Sequence, residues 1–236
     1  GDFKAGREDN AYQVIPTAWV DAAIERWQKT PEPQTNVDSL GVDVARGGKD
    51  ATCLSARKQS WFGKVVSVPG IQTLDGQAVA ALAVIHAKNR CMITVDVIGV
   101  GSSAFDFLKS SGNVRVRPFN GAEKAWGTDK SGQIHFVNRR AEAYWGLREM
   151  LDPTSQQDIC LPPDTELKSD LCAPTWKMTP RGIQVEAKED LAKRIGRSPD
   201  KGDALVMAAL MAPPLEAEPE QDEFLGMSPG RGSWMA

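Results

Sequence analysis

The chain has 236 residues, 41% of them hydrophobic and 25% charged, which suits a soluble globular protein of one large domain or one domain with appendages. Its formal net charge of -3 gives no overall electrostatic case for nucleic-acid binding, although a local basic rim can coexist with an acidic centre. No apolar run reaches the length of a membrane span and no secretory signal is visible.

Residues 1–13 are polar and read as loosely ordered. Trp19, Ala22, Ala23, Arg26 and Trp27 recur at helical spacing, which predicts a helix over 17–28 with Thr17 as its cap. The Pro-rich stretch 30–36 reads as a linker, so the core is expected to begin near Val37. Strands follow at 38–44, 51–58 and 62–68, the first two joined by a hairpin at Gly47-Gly48. A helix is expected over 73–88, a strongly apolar strand over 91–98, a short helix around 102–109 and a strand at 114–118. Residues 119–132, with Gly121, Gly127 and Gly132, read as a loop, and a helix is expected around 137–150. The stretch 165–172 fits a short helix or a strand. A hairpin over 176–185, a helical stretch over 188–194 and a last helix from Pro199 to about 211 complete the core. The Pro/Gly-rich, acidic segment beyond it reads as a flexible tail. This order predicts an α/β protein with a mixed sheet whose opening strands are antiparallel.

Three aspartates stand beside apolar positions, where a carboxylate is costly unless paired or metal-bound. Asp43 closes Leu40-Gly-Val-Asp43, Asp96 closes Met92-Ile-Thr-Val-Asp96, and Asp203 precedes the apolar run 204–210. Ligands in open α/β sheets tend to bind beyond the carboxyl ends of strands, where Asp43 and Asp96 are expected. Asp200 reads as a first-turn residue of the last helix or an additional metal neighbour. Mg²⁺ and Mn²⁺ take oxygen ligands, and a pair of such ions can clamp a phosphodiester, so the three carboxylates point to one acidic metal site. Lys188 can pair with this cluster or contact phosphate. Arg46, Lys49, Arg115, Arg117, Lys124, Lys130, Arg139 and Arg140 are candidates for backbone phosphates, and Trp61, Trp126, Trp145 and Trp176 for base stacking or packing. Glu142 reads as a helix ion-pair member. Cys53, Cys91, Cys160 and Cys172 lack zinc or redox spacing and read as free thiols of a reducing compartment. The Gly47-Gly48 loop is not a P-loop, and its likeness to the opening hairpin of actin-like phosphotransferases would require a second subdomain.

Three stretches together resemble the nuclease domain of the large terminase subunit of tailed double-stranded DNA bacteriophages: Gly41-Val-Asp-Val-Ala-Arg-Gly-Gly-Lys-Asp50, Phe136-Val-Asn-Arg-Arg-Ala-Glu-Ala-Tyr-Trp145, and Lys188 through Leu205 with its Ser198-Pro-Asp-Lys-Gly-Asp203. The resemblance covers about residues 37–212. It implies an RNase H-like fold and a two-metal endonuclease, using Mg²⁺ or Mn²⁺, that cuts concatemeric viral DNA during packaging. It implies Asp43, Asp96 and Asp203 as the catalytic carboxylates and metal ligands, with Asp200 as an occasional metal neighbour. Gly202 stands where relatives often have alanine, a difference expected to change little. Implied partners are viral DNA, the portal protein, the small terminase subunit and a packaging ATPase domain of the same full-length protein. The implied location is the host cytoplasm at the procapsid portal. No Walker motif occurs in the chain, so residues 1–36 are expected to be an interdomain remnant, 37–212 the nuclease domain and 213–236 the acidic tail. A junction-resolvase or integrase-like nuclease, an actin-like phosphotransferase and a non-catalytic DNA-binding module are the alternatives.

Overall fold

The computed structural model describes residues 12–45, 50–87, 91–112 and 114–210. The expected Gly47-Gly48 turn, the acidic tail, and Arg46 and Lys49 lie outside the described residues.

In chain order the elements are α1 (Thr17–Lys29), β1 (Ser39–Asp43), β2 (Ala51–Lys58), β3 (Trp61–Phe62), β4 (Val66–Pro69), α2 (Gly76–Ala87), β5 (Met92–Asp96), α3 (Gly101–Ser110), β6 (Arg115–Phe119), α4 (Arg139–Leu151), α5 (Thr165–Cys172), β7 (Trp176–Thr179), β8 (Gly182–Val185), α6 (Lys188–Ile195) and α7 (Asp200–Ala209). The stretch 165–172 is a helix, because the Asp164 carboxylate accepts from the backbone N–H groups of Glu166 and Leu167 and caps it. The strand expected at 62–68 divides into β3 and β4, which pair with different ends of β2; Gly63 N–H still donates to Ala56 O at 2.9 Å between them. Helix α1 begins after Pro16, and the Thr17 hydroxyl does not cap it but takes a hydrogen bond from the Gln13 side chain.

The main sheet runs β3-β2-β1-β5-β6, with β4 also on β2. β1 pairs antiparallel with β2 and parallel with β5, and β5 pairs parallel with β6. β7 and β8 form a separate hairpin. The central strand β1 alternates sharply. Leu40 and Val42 face one side, where they pack with Ile93, Val95 and the buried residues of α2 and α3. Ser39, Gly41 and Asp43 occupy the other face. There α7 lies so close that a Cβ on Gly41 would come within 2.0 Å of Ala204 O. The Ser39 hydroxyl donates to Ala208 O at 2.5 Å, and Arg57 and Arg117 donate to Ala209 O and Leu210 O, both at 3.0 Å. Small and polar residues on this face of the sheet therefore fix the seat of the last helix.

The second apolar cluster joins α4, α5 and α7 with Val14, Ile15, Val20 and Ala23. The core thus reaches well before Val37, and Gln13 bridges to Thr175. The expected free thiols are present, and Cys53, Cys91 and Cys160 are buried. Among the described residues no helix is long and apolar enough to cross a membrane.

Candidate active site

Register places the first two aspartates side by side. Val42 pairs with Val95 on parallel strands, so Asp43 and Asp96 close neighbouring strands at the same edge of the sheet. Asp43 shares the face of Gly41, which is the face covered by α7. That helix carries Asp200 in its first turn and Asp203 one turn later, its backbone N–H bonded to Pro199 O.

Lys188, the first residue of α6, lies among them. Its Nζ is 3.0 and 3.1 Å from the two carboxylate oxygens of Asp43, 3.0 Å from Asp203 Oδ2 and 3.4 Å from Asp200 Oδ1. Asp203 Oδ1 accepts from Arg140 Nη1 and from the Tyr144 hydroxyl, each at 2.7 Å. Asp203 Oδ2 is buried and meets Lys188 as an ion pair without hydrogen-bond geometry. Asp200 takes a hydrogen bond from the Ser198 hydroxyl. Asp96 Oδ1 accepts from Ile98 N–H at 3.0 Å.

Charge here is out of balance. Three carboxylates, Asp43, Asp200 and Asp203, crowd onto two partly buried cations, Lys188 and Arg140. Burial is the largest force on Asp43 and, with the fields of Asp203, Asp200 and Asp96, holds its carboxyl well above the usual range despite Lys188. Asp203 is buried too, yet Arg140, Lys188 and the Tyr144 hydrogen bond bring it down to about 2. For Lys188, burial works against the charge, but Asp203, Asp43 and Asp200 outweigh it and keep the ammonium well above the ordinary lysine value. Burial and Asp203 together push the Tyr144 hydroxyl up.

Two cavities meet at this cluster. One, of about 160 Å³, is lined by Asp96, Phe119, Gly121, Asn138, Arg140, Tyr144, Lys188 and Asp203 among others. The other, of about 390 Å³, includes Val44, Asp50, Asp96, Lys188, Glu189, Arg197 and Asp200. Asp96, Lys188 and Glu189 belong to both.

The carboxylate set has the oxygen donors that Mg²⁺ and Mn²⁺ require, and the crowding of Asp43, Asp200 and Asp203 is the kind that a divalent cation relieves. Even so, among the described residues no three acidic, histidine or cysteine side chains form a ready-made cage. The Lys188 ammonium holds the centre of the cluster instead.

Several basic residues that read as phosphate contacts have internal partners. Arg140 pairs with Asp203, Arg117 bonds Thr94 and Leu210 O, and Lys130 pairs with Asp152. Trp61 is buried and stacks on Trp27 at 5.2 Å, and Trp145 packs edge-on against Trp176 at 5.1 Å. Trp126 is 80% exposed. Glu142 does pair with Arg139, and it also accepts the backbone N–H groups of Trp126 and Gly127.

The sequence reading passed over Asp170. It is fully buried, pairs with Arg197 at 2.5 Å and accepts Gly202 N–H at 3.1 Å. Its signal was available: Leu167, Asp170 and Leu171 fall on one buried helix face, so a carboxylate sits among core positions. Gly202 is not a neutral choice beside it. A Cβ there would stand 2.7 Å from Asp170 Cβ.

No protein-family model and no curated protein sequence matches the chain. Solved structures do. The nuclease domain of the large terminase subunit gp2 of bacterial virus Sf6 is similar at TM-score 0.67 and 19% identity, over 85% of this chain and 99% of that one. A mutant of that domain with manganese and beta-thujaplicinol is similar at TM-score 0.68 and 20% identity, over 85% and 99%. The large terminase nuclease from thermophilic phage G20c with bound magnesium is similar at TM-score 0.53 and 14% identity, over 85% and 97%. The chain therefore has the RNase H-like fold of the large-terminase nuclease domains.

Proposed function

We propose that the protein is the nuclease domain of a phage large terminase, a metal-dependent DNA endonuclease that cuts concatemeric viral DNA during genome packaging. The observation that carries this reading is the convergence of Asp43, Asp200 and Asp203 on one ammonium, with Asp96 at the neighbouring strand end. The fold shared with terminase nucleases, two of them solved with manganese or magnesium, supports it.

Asp43, Asp96 and Asp203 would hold two divalent cations, Mg²⁺ or Mn²⁺, with Asp200 as a further neighbour. Such ions supply an activated water and stabilise the charge that develops on the phosphodiester and its leaving oxygen. The chain's own residues prepare for this. Arg140 and Tyr144 fix Asp203 through Oδ1 and leave Oδ2 on the side of Asp43 and Lys188. Gly41 lets α7 approach closely enough to bring Asp203 to the strand end. Lys188 keeps the carboxylates together in the absence of metal, and its ammonium must give way or turn to phosphate when cations enter.

The DNA, the portal protein, the small terminase subunit and the packaging ATPase domain are the partners this reading assigns, at the procapsid portal in the host cytoplasm. Cleavage is expected to show little sequence preference. The test is incubation with supercoiled plasmid and Mg²⁺ or Mn²⁺, against EDTA and against Asp43→Asn and Asp203→Asn. The wild-type protein should nick or linearise the plasmid only with metal, and both variants should lose the activity. Cutting by either variant at the wild-type rate would reject the site.

A further inference from the structure

The loop before α4 holds a feature that the metal site does not use. Trp126 is 80% exposed, yet it is not loosely held. The Arg139 guanidinium lies over the indole, 3.6 Å from its ring centroid, close enough to cover one face. Arg139 is itself buried, touches Glu142 at 3.4 Å and also approaches the Phe119 ring. Glu142 accepts Gly127 N–H at 2.8 Å and Trp126 N–H at 3.3 Å, so one carboxylate fixes both the indole's backbone and the cation beneath it.

The rest of the loop is tied down in the same way. Arg139 N–H donates to Glu123 O at 2.8 Å, Arg140 N–H donates to Gly121 O at 3.0 Å, and Lys130 N–H donates to Glu149 Oε1 at 2.9 Å. Ordering a side chain normally costs free energy at the moment of binding. Here the backbone, the ring and the cation behind it are in place beforehand. The result is an aromatic plate with one face backed by positive charge and the other open to solvent.

Its position joins it to the site. The residue after Arg139 is Arg140, which binds Asp203 at 2.7 Å. Phe119 and Gly121, from the start of the same loop, line the cavity that Asp96, Lys188 and Asp203 also line. The loop that carries Trp126 therefore borders that cavity.

We infer that Trp126 is a stacking platform for a DNA base, unpaired or at a strand end, next to the scissile site. This rests on the endonuclease reading for its ligand. Every base has a π-face, so such a platform binds without sequence preference, and the cation behind the indole adds attraction for the polyanion.

The test places 2-aminopurine in a short single strand and measures its quenching, together with affinity by anisotropy, in EDTA so that cleavage plays no part. A duplex with a frayed end and a covalently closed duplex circle serve as further ligands. The wild-type protein should quench the probe in the single strand and at the frayed end, and should bind the closed circle more weakly. Trp126→Ala should abolish the quenching and weaken single-strand binding about tenfold to a hundredfold, as truncation of a base-stacking aromatic does. Trp126→Phe should retain most of both, which separates loss of stacking from loss of fold. Equal quenching and affinity in Trp126→Ala would overturn the inference, as would a Phe variant as weak as the Ala variant. Quenching without plasmid cleavage would leave the platform standing and remove the endonuclease reading; cleavage without quenching would do the reverse.

Discussion

Lys188 offers the sharpest perturbation. Its ammonium touches Asp43 at 3.0 and 3.1 Å, Asp203 at 3.0 Å and Asp200 at 3.4 Å, and its side chain is 24% exposed. At an effective dielectric constant of about 20, each contact near 3 Å is worth roughly 5–6 kcal/mol before desolvation is charged against it. The net cost of removing one member of a buried pair is smaller, about 3–5 kcal/mol, because it leaves the other charges unpaired. For a chain of this size about 2–4 °C of thermal midpoint goes with each kcal/mol. Lys188→Ala should therefore melt about 6–20 °C below the wild-type protein in EDTA.

Two signatures distinguish this from ordinary loss of packing. Asp43 already has a raised pKa, and without Lys188 it rises further. A carboxyl whose folded pKa exceeds its unfolded value takes up a proton on folding, so its contribution to stability falls as pH rises. The variant's deficit should accordingly be larger at pH 8 than at pH 5. Added Mn²⁺ should also raise the midpoint of the variant more than that of the wild type, since the cation need not displace an ammonium, and Mn²⁺ affinity by calorimetry should increase at least about tenfold, or about 1.4 kcal/mol. Scanning fluorimetry across pH and metal concentration reads the midpoint changes. A variant as stable as wild type in EDTA, or one whose Mn²⁺ response is no larger, would refute the view that Lys188 stands in for a metal.

The remaining predictions concern the frame of the site. Burial raises Asp170 to about 7 in spite of Arg197, so between about pH 4 and 7 the folded chain holds one more proton than the unfolded chain and stability declines with rising pH; Asp170→Asn should flatten that decline in urea titrations, and an unaltered slope would contradict the assignment. Gly41→Ala should cost several kcal/mol or prevent folding, because its Cβ would enter the Ala204 carbonyl at 2.0 Å; soluble protein with a wild-type midpoint would show that α7 sits farther off. Tyr144→Phe removes one of the two donors to Asp203 Oδ1 and should cost about 1–2 kcal/mol by chemical denaturation, with no change if the 2.7 Å bond carries no weight.

The fold was largely legible because its signals are local. β2 spans the expected 51–58, and the apolar runs ending in Asp43 and Asp96 mark the two central parallel strands. The start of the core was not legible, since Val14 and Ile15 are buried in a cluster that draws on α4, α5 and α7, far along the chain. The same limit applies to the roles of the basic residues. Arg117 lies in a strand whose alternation resembles a basic stripe, yet its guanidinium closes the end of α7 through Leu210 O. Pairings of this kind span large sequence separations and follow from tertiary packing, which spacing along the chain does not encode.

The site falls between these cases. β1 reads Ser39-Leu-Gly-Val-Asp43, so small or polar residues alternate with large apolar ones. That pattern alone says that one face of the strand packs side chains and the other admits a backbone. The only described helix whose approach requires a missing Cβ on that face is α7, so the same alternation that made Asp43 costly also determines its partner. Asp203 belongs beside Asp43 because Gly41 is glycine. What the alternation could not supply is the compensating charge. Lys188 reaches the cluster from a helix that begins 145 positions away from Asp43, and together with Arg140 it makes the crowded carboxylates Asp43, Asp200 and Asp203 compatible with a folded, metal-free chain.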